Sequence, residues 1–283
     1  VYANYTKRRP IFQRDRGFAS FTLSDDGDPI DAHDFVYSFR RALTKETGSH
    51  TASLGLYIKY AQPYFAGDVF VRDPQTGQFL LAKDFDDSLP PAPLSGSPID
   101  PAKGEYTPSA EGSKPHSDTA FHQQMHGPLR LTLPGSEKAR AKLLDKDAKL
   151  KAAIAGKELV PVKAEDLGVE AVDNYTLRIS LVQQAPFFLG LLAHQLFRLV
   201  PRKVIEKHGD FWTRAENIVT CGPFKIKTWI PYDKLVMERD PMYWDAANVK
   251  LDELYFYPIN DQTTMMNMYK VGELDAVYNR GVP

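Results

Sequence analysis

Residues 224–239, FKIKTWIPYDKLVMER, contain two short β-prone segments on either side of a short turn. Residues 224–229 and 235–239 are rich in aliphatic, aromatic and β-branched side chains, and Pro231-Tyr232-Asp233 lies between them. Two such segments around a short turn predict a β-hairpin.

The segments that follow the hairpin alternate between strand and helix patterns. A strand is predicted at residues 251–259, and Asp261 is suited to cap a helix that Gly272 ends. The chain then continues into a strand predicted at residues 274–278.

The segments that precede the hairpin show the same alternation. Pro201 opens a helix that Gly209 ends, and Pro186 opens an apolar helix that extends to Leu192. Residues 168–181 predict another hairpin around Asp173-Asn174, because both residue types tolerate a positive φ.

Residues 136–155 predict one long helix, which Ser136 caps and Gly156 ends. Residues 67–135 contain many prolines mixed with Gly, Ser and Asp. Because proline removes a backbone donor and blocks helix, this stretch is predicted to be mostly loop or short edge strand, as an insertion or surface excursion.

The first clear element is a helix at residues 32–44, with Asp31 as its cap and Asp34 in its first turn. Strands that alternate with helices predict an α/β or α+β chain built on one mixed sheet.

The composition limits the number of domains, the kinds of partner and the possible cellular compartments. The chain has 283 residues, 43% of them apolar, which allows one or two domains with a sizeable core. The formal net charge of −1 does not favour nucleic acid or an anionic membrane as a partner. One cysteine excludes an internal disulfide, and residues 1–9 lack the apolar segment of a signal peptide. The chain is therefore expected to be cytoplasmic or to begin after a removed leader.

Few side chains suggest reaction chemistry. His122 and His126 share the spacing of two zinc ligands on a helix but lack a third ligand, so a solvated loop is the favoured interpretation. Cys221 could act as a nucleophile with His194 or His208 as its base, but a small buried cysteine is the better prediction. No nucleophile-elbow, Walker or dinucleotide-binding motif is present.

Aromatic residues crowd positions 243–278 near the end of the chain. Their flat faces and polar tips suit recognition of peptides or sugars, although packing against a sheet is the more common role of any one of them. They are Tyr243, Trp244, Tyr255, Phe256, Tyr257, Tyr269 and Tyr278.

Seven collinear segments resemble the extracellular solute-binding proteins of family 5, the oligopeptide- and dipeptide-binding proteins of ABC transporters. They are DPIDAHDFVYSFRR at 28–41, DLGVEAVDNYTL at 166–177, APFF at 185–188, LVPRKVIEKHG at 199–209, NIVTCGPF at 217–224, ERDPMYWD at 238–245 and YKVGELDA at 269–276. Any one match is weak, but together they are specific.

The resemblance implies a mixed α/β fold of the periplasmic-binding-protein type II. This chain would supply one lobe plus the family's extra subdomain, without the second lobe, and would therefore be a fragment of a longer protein. Residues 1–200 are assigned to the extra subdomain, with a long proline-rich insertion at about 62–164. Residues 201–283 are assigned to part of the N-terminal ligand-binding lobe, up to the hinge.

The resemblance also implies four ligand-binding residues. Tyr278 and Asn279 follow the segment that matches a cleft-lining strand, and Asn279 offers both a donor and an acceptor to a peptide backbone. Thr51 falls near a position where relatives carry a peptide-contacting tyrosine. Cys221 stands where relatives carry Asn, Thr or Gly. No catalytic residue, metal ligand or cofactor is implied.

The implied function is that of the substrate-binding component of an ABC importer, which is a binding protein and not an enzyme. Two lobes close around a peptide and hold it non-covalently. Its partners would be a peptide or peptide-like ligand and the permease subunits, and not nucleic acid. We expect a monomer that is periplasmic or extracellular, with or without a lipid anchor.

Two alternatives stay open. The same scaffold could bind another solute, such as an oligosaccharide, a nickel chelate or haem. The chain could also be an enzyme or a structural or interaction subunit that reuses half of the fold.

Overall fold

The computed structural model describes residues 2–4, 24, 26–85 and 127–277. Contacts divide the chain into two units. Unit 1 comprises Val1–Phe18 and Asp31–Val200, and unit 2 comprises Ala19–Ile30 and Pro201–Pro283. Among the described residues, no helix has the length and apolar character needed to cross a membrane.

The described α-helices are α1 Ala32–Ala42, α2 Ala61–Ala66, α3 Glu137–Leu144, α4 Ala148–Ile154, α5 Phe188–Leu191, α6 Arg202–His208 and α7 Gln262–Lys270. The described strands are β1 Tyr2–Asn4, β2 Val69–Arg72, β3 Thr132–Leu133, β4 Glu158–Pro161, β5 Val169–Asp173, β6 Thr176–Ile179, β7 Phe224–Ile230, β8 Lys234–Arg239 and β9 Glu253–Phe256. Short 3₁₀ helices occupy Ala52–Gly55, Ala82–Asp84, Ala164–Asp166, Gln195–Phe197, Gly209–Thr213 and Ala246–Asn248.

The described strands form three separate sheets, with orders β1-β6-β5, β3-β2-β4 and β7-β8-β9. Every described pair of neighbouring strands is antiparallel. The prediction of one mixed sheet is therefore wrong. Short connections such as the hairpins join strands in antiparallel fashion, whereas parallel pairing requires a longer crossover.

Helix α1 begins as predicted. The Asp31 carboxylate accepts hydrogen bonds from the backbone N–H groups of His33 and Asp34, and the Asp34 carboxylate accepts one from the N–H of Asp31. This reciprocal arrangement satisfies backbone donors that the first helical turn leaves open. The inner face of α1 packs into the main core of unit 1, where Phe39 contacts Phe197 edge to face.

The hairpin of β5 and β6 is confirmed, but its turn differs from the prediction. Neither Asp173 nor Asn174 has a positive φ. Instead, the Asp173 carboxylate accepts hydrogen bonds from the N–H of Tyr175 and the hydroxyl of Thr176. A side chain that bonds to the backbone two residues later supports a turn without a left-handed residue.

Two predictions for the middle of unit 1 are corrected by the structure. Residues 67–135 are predicted to be mostly loop or short edge strand, but β2 is the central strand of its sheet, and its Phe70 and Val71 are fully buried. Strand β3 is a short edge strand, and residues 86–126 lie outside the described part of the chain. The single helix predicted at residues 136–155 is two helices, α3 and α4. The chain breaks between them because Asp147 caps α4, accepting a hydrogen bond from the N–H of Leu150. Ser136 makes no such bond.

Unit 2 is built on the β7-β8-β9 sheet, which confirms the predicted hairpin and the strand after it. Tyr232 lies in the hairpin turn with φ of 65°. Asp261 caps α7 through the N–H of Thr264, and Gly272, with φ of 82°, follows the helix as predicted. Residues 274–277 do not form the predicted strand.

Candidate functional site

Two of the four predicted ligand contacts, Tyr278 and Asn279, lie outside the described residues. Their role stays a prediction. The same holds for the His122 and His126 pair. Among residues 26–85 and 127–277, no three His, Cys, Asp or Glu side chains cluster closely enough to hold a metal ion.

Thr51 lies in unit 1, at the start of the 3₁₀ helix Ala52–Gly55. Its side chain does not cap that helix, but its carbonyl accepts a hydrogen bond from the N–H of Leu54. Its hydroxyl lies 3.3 Å from the hydroxyl of Ser49. The residue is half-buried, so a ligand could reach it. Its role as a ligand contact stays a prediction that rests on its position relative to the family's peptide-contacting tyrosine.

Cys221 lies in unit 2, in the loop that leads into β7. It is half-buried and forms no disulfide, so the prediction of a buried cysteine is wrong. Residues 218–222 are all half-buried and belong to neither a strand nor a helix. The loop is therefore a partly open surface that carries a polarisable side chain.

The start of this loop is fixed by the segment before it. The carbonyl of Arg214 accepts hydrogen bonds from the N–H groups of Asn217, at 2.9 Å, and Ile218, at 2.8 Å. The Asn217 side-chain amide donates to the carbonyl of Phe211 at 2.9 Å.

The end of the loop is fixed by Asp240, which lies in the motif ERDPMYWD and is not among the predicted ligand contacts. Its backbone N–H donates to the carbonyl of Pro223 at 3.0 Å, and its carboxylate Oδ1 accepts from the N–H of Met242 at 2.9 Å. Asp240 is fully buried, and its Oδ2 has no hydrogen-bond partner in the described structure. The signal that could have identified it is the Asp-Pro step directly after a strand, which favours a turn.

The aromatic residues of unit 2 are largely exposed, against the common expectation that each would pack against the sheet. Trp244 is 42% exposed, Tyr255 53% and Phe256 51%. The rings of Tyr243 and Trp244 lie 5.5 Å apart at an angle of 52°, directly after the Asp240 turn. Exposed aromatic faces of this kind suit recognition of peptide or amphipathic ligands.

A buried polar cluster lies in unit 1. The Lys59 ammonium donates to the carbonyl of Gly127 at 2.8 Å, and the Tyr60 hydroxyl accepts from the N–H of Arg130 at 3.1 Å. Burial lowers the pKa of Lys59 to about 8, and the charge of Arg130 acts in the same direction. The cluster links residues 59–60 to residues 127–130, so its contacts hold together two segments that are far apart in the sequence.

The profile described as "Bacterial extracellular solute-binding proteins, family 5 Middle" matches residues 24–283. The chain therefore belongs to this family of bacterial extracellular solute-binding proteins, as the sequence motifs predicted. Its similarity to solved binding proteins and its mixture of helices and sheets confirm the predicted fold class.

Among individual relatives, the periplasmic oligopeptide-binding protein OppA of Salmonella typhimurium is 41% identical over 126 residues, 44% of this chain and 22% of that protein. The probable deoxycholate-binding periplasmic protein YgiS of Escherichia coli is 35% identical over 127 residues, 45% of this chain and 23% of that protein.

Two solved structures show the same fold at low sequence identity. OppA of Burkholderia pseudomallei aligns with a TM-score of 0.55 at 21% identity, over 91% of this chain and 33% of that chain. OppA of Haemophilus influenzae, in complex with RPPGFSPFR, aligns with a TM-score of 0.54 at 21% identity, over 90% and 32%. The chain thus spans about a third of the length of these proteins.

Proposed function

We propose that this chain is part of the substrate-binding component of an ABC importer and contributes one wall of a cleft that binds peptides non-covalently. The observation that carries the proposal is the family match across residues 24–283, together with the 41% identity to an oligopeptide-binding protein. Unit 1 would correspond to the family's extra subdomain, and unit 2 to part of the ligand-binding lobe.

The loop that carries Cys221 supports this role physically. Hydrogen bonds at both of its ends, to Arg214 and to Asp240, hold a half-buried segment in one conformation before any ligand arrives. A preorganised surface loses less conformational entropy on binding. Cys221 would contact the ligand by packing, and Thr51, Tyr278 and Asn279 complete the proposed set of contacts.

Peptides fit such a site because their repeating backbone amides offer the same donors and acceptors whatever their sequence. The proposed binding forms and breaks no covalent bond, so the ligand should leave unchanged. The proposed partners are the permease subunits of the importer, and the proposed location is the periplasm or the cell exterior, with or without a lipid anchor. The binding component would act as a monomer.

A second candidate ligand is an amphipathic solute of the bile-acid class. The relative described as deoxycholate-binding covers 45% of this chain, nearly the same share as the oligopeptide-binding relative. The exposed aromatic side chains of unit 2 would suit an apolar ring system as well as a peptide side chain.

Titration calorimetry of the purified protein with short peptides and, separately, with deoxycholate tests the proposal. We expect heat of binding with peptides, loss of affinity in Asn279→Ala, and unchanged affinity in Asn260→Ala, which alters an exposed asparagine of the same unit. Binding of deoxycholate alone would favour the second candidate. Mass spectrometry of the recovered ligand should find it intact, and chemical turnover would contradict the proposal.

A further inference from the structure

The segment of unit 1 at residues 136–157, which contains α3 and α4, is strongly basic. Seven of its side chains are basic and three are acidic, although the whole chain carries a formal net charge of −1. The rest of the chain is therefore acidic overall. The net charge thus averages over an uneven distribution, and a nearby charged surface responds to the local excess, because salt screens charges that lie further away.

The inner sides of α3 and α4 are fixed by an apolar cluster. Leu144 of α3 and Leu150 and Ile154 of α4 pack with Val71 and Leu133 of the β3-β2-β4 sheet. Because residues one turn apart share a helix face, this packing also determines which residues of α3 point away from the sheet.

Lys138 and Lys142 form the outer side of α3. They lie one turn apart, and at 3.6 residues per turn they point roughly 160° away from Arg140 and Leu144, which face inward. Both lysines are exposed, and Lys146 is exposed in the turn that follows the helix. Lys138, Lys142 and Lys146 are here called the lysine row.

The lysine row has no counter-charge of its own. The described part of the chain brings no carboxylate into ion-pair contact with these three ammonium groups, whereas it engages the other four basic side chains of the segment. Lys151 pairs with Asp145, Lys157 pairs with Asp73, Lys149 donates to the carbonyl of Asp84, and Arg140 donates to the carbonyls of Pro134 and Gly135. Three exposed positive charges are therefore available to an external partner.

The position of the lysine row is unfavourable for α3 itself. Like charges one turn apart on a helix repel each other, and Lys138 adds a positive charge to the first turn, where the helix dipole favours a negative one. Ser136 makes no capping hydrogen bond that would compensate. Residues that break local rules without a gain inside the chain are typical of functional surfaces.

We infer that the lysine row is a docking surface for the anionic headgroups of a lipid bilayer. Lysine ammonium groups are point charges on flexible stems, which suit the diffuse negative field of a bilayer surface. Leu143, which follows Lys142, is 38% exposed and is placed to enter the boundary between headgroups and acyl chains.

Two other anionic partners fit the segment less well. Single-stranded nucleic acids are held by aromatic side chains that stack on bases, and residues 136–157 contain no aromatic residue. Carboxylates of an acidic protein are best paired by the forked guanidinium of arginine, but the one arginine of the segment, Arg140, donates to backbone carbonyls.

The proposed location in the periplasm or at the cell exterior also brings the protein next to a bilayer. The inference rests on that part of the proposed function and not on which solute the protein binds. Docking of this kind would hold the protein close to the membrane in which the permease subunits lie.

Sedimentation of the purified 283-residue protein with lipid vesicles tests the inference. Vesicles of phosphatidylglycerol and phosphatidylcholine in equal parts should bind the protein at low salt, and vesicles of phosphatidylcholine alone should not. Each lysine near an anionic surface strengthens binding about fivefold, so Lys138→Gln, Lys142→Gln and Lys146→Gln together should weaken it about a hundredfold. Salt at about 1 M, where the Debye length is about 3 Å, should release the protein.

Three exposed lysines of unit 2 provide the matched control. Lys207→Gln, Lys250→Gln and Lys270→Gln together remove the same charge from another part of the chain and should leave vesicle binding nearly unchanged. Thermal unfolding should show that the lysine-row variant is at least as stable as the original protein, because the substitution relieves repulsion within α3.

Four results would overturn the inference. Absence of binding to phosphatidylglycerol vesicles, or equal binding to vesicles without phosphatidylglycerol, would show that anionic headgroups are not recognised. Equal weakening in the two triple variants would show that the overall charge acts rather than the lysine row. Tighter binding to single-stranded DNA or to polyglutamate than to the vesicles would identify a nucleic acid or an acidic protein as the partner. A loss of peptide binding in calorimetry with vesicle binding retained would instead count against the proposed solute and support an independent docking surface.

Discussion

The backbone N–H of Asp240 donates a hydrogen bond of 3.0 Å to the carbonyl of Pro223, which ties the turn after β8 to the loop before β7. Residues seventeen positions apart are thus joined beside Cys221, in a loop of unit 2 that carries a predicted ligand contact. The carboxylate of Asp240 holds the turn in shape by accepting from Met242.

Removing this carboxylate should destabilise unit 2. Asp240→Ala removes a fully buried side chain and leaves the N–H of Met242 without its acceptor, which costs about 1–3 kcal/mol. Urea unfolding followed by tryptophan fluorescence measures this selectively, because all three tryptophans, Trp212, Trp229 and Trp244, belong to unit 2.

Two further variants sharpen the test. Asp240→Asn keeps an oxygen acceptor and removes a buried charge, so it should be at least as stable as the original protein. Asp252→Ala removes a carboxylate that is 81% exposed and bridges to Arg239, so it should cost less than about 1 kcal/mol. Equal losses in Asp240→Ala and Asp252→Ala would show that the buried carboxylate of Asp240 contributes no more than an exposed one.

The buried ammonium of Lys59 should give unfolding a characteristic pH dependence. Because burial lowers its pKa from 10.5 to about 8, the folded state releases this proton before the unfolded state does. The free energy of unfolding should therefore rise between pH 8 and 10.5 relative to Lys59→Met, by up to about 3 kcal/mol at roughly 1.4 kcal/mol per pKa unit. Below pH 8 the difference between the two proteins should be constant.

Far-UV circular dichroism in urea at several pH values measures this difference. Lys149→Met is the matched control, because the Lys149 ammonium also donates to a backbone carbonyl, that of Asp84, but from an exposed position. Its curve should run parallel to that of the unaltered protein. A parallel curve for Lys59→Met as well would contradict the lowered pKa.

Alanine substitution of the residue that precedes α1 should lower the stability of the protein more than alanine substitution of the residue that precedes α3. Asp31→Ala removes an acceptor that bonds two backbone N–H groups, which costs about 1 kcal/mol. Ser136→Ala should be nearly neutral, since its hydroxyl makes no capping bond to α3. Thermal unfolding of the two variants side by side checks this, and an equal loss from Ser136→Ala would show that the structure misassigns the start of α3.

Sequence patterns predicted the elements whose signals are local. Asp31 before α1, Asp261 before α7 and the Pro231-Tyr232-Asp233 turn all act through hydrogen bonds or dihedral angles within a few residues. Each can be recognised from its neighbours alone. The family motifs added the fold class, because seven collinear matches constrain the whole chain rather than one element.

The features that were predicted wrongly or missed depend on contacts between residues that are far apart in the sequence. Strand β2 is central because β3 and β4, about sixty and ninety residues away, pair with its two edges. The run Val69-Phe70-Val71 is too short to indicate that by itself. The burial of Asp240 likewise depends on its contact with Pro223 across the hairpin. Tyr278 and Asn279 still rest on the motif alone.

Ligand binding should protect Cys221 from chemical modification. It is the only cysteine in the sequence and is half-buried in the anchored loop, so the rate of its reaction with a thiol reagent reports on that loop alone. We expect saturating peptide to slow the reaction severalfold, by covering the thiol. An unchanged rate at saturation would remove Cys221 from the proposed contacts while leaving peptide binding itself intact.

Titration calorimetry with short peptides addresses the peptide-binding proposal itself. We predict saturable binding to the purified protein that weakens in Asn279→Ala and persists in Asn260→Ala, with the peptide recovered unmodified. Saturable binding of a different solute with no response to any peptide, or conversion of the peptide to products, would contradict it.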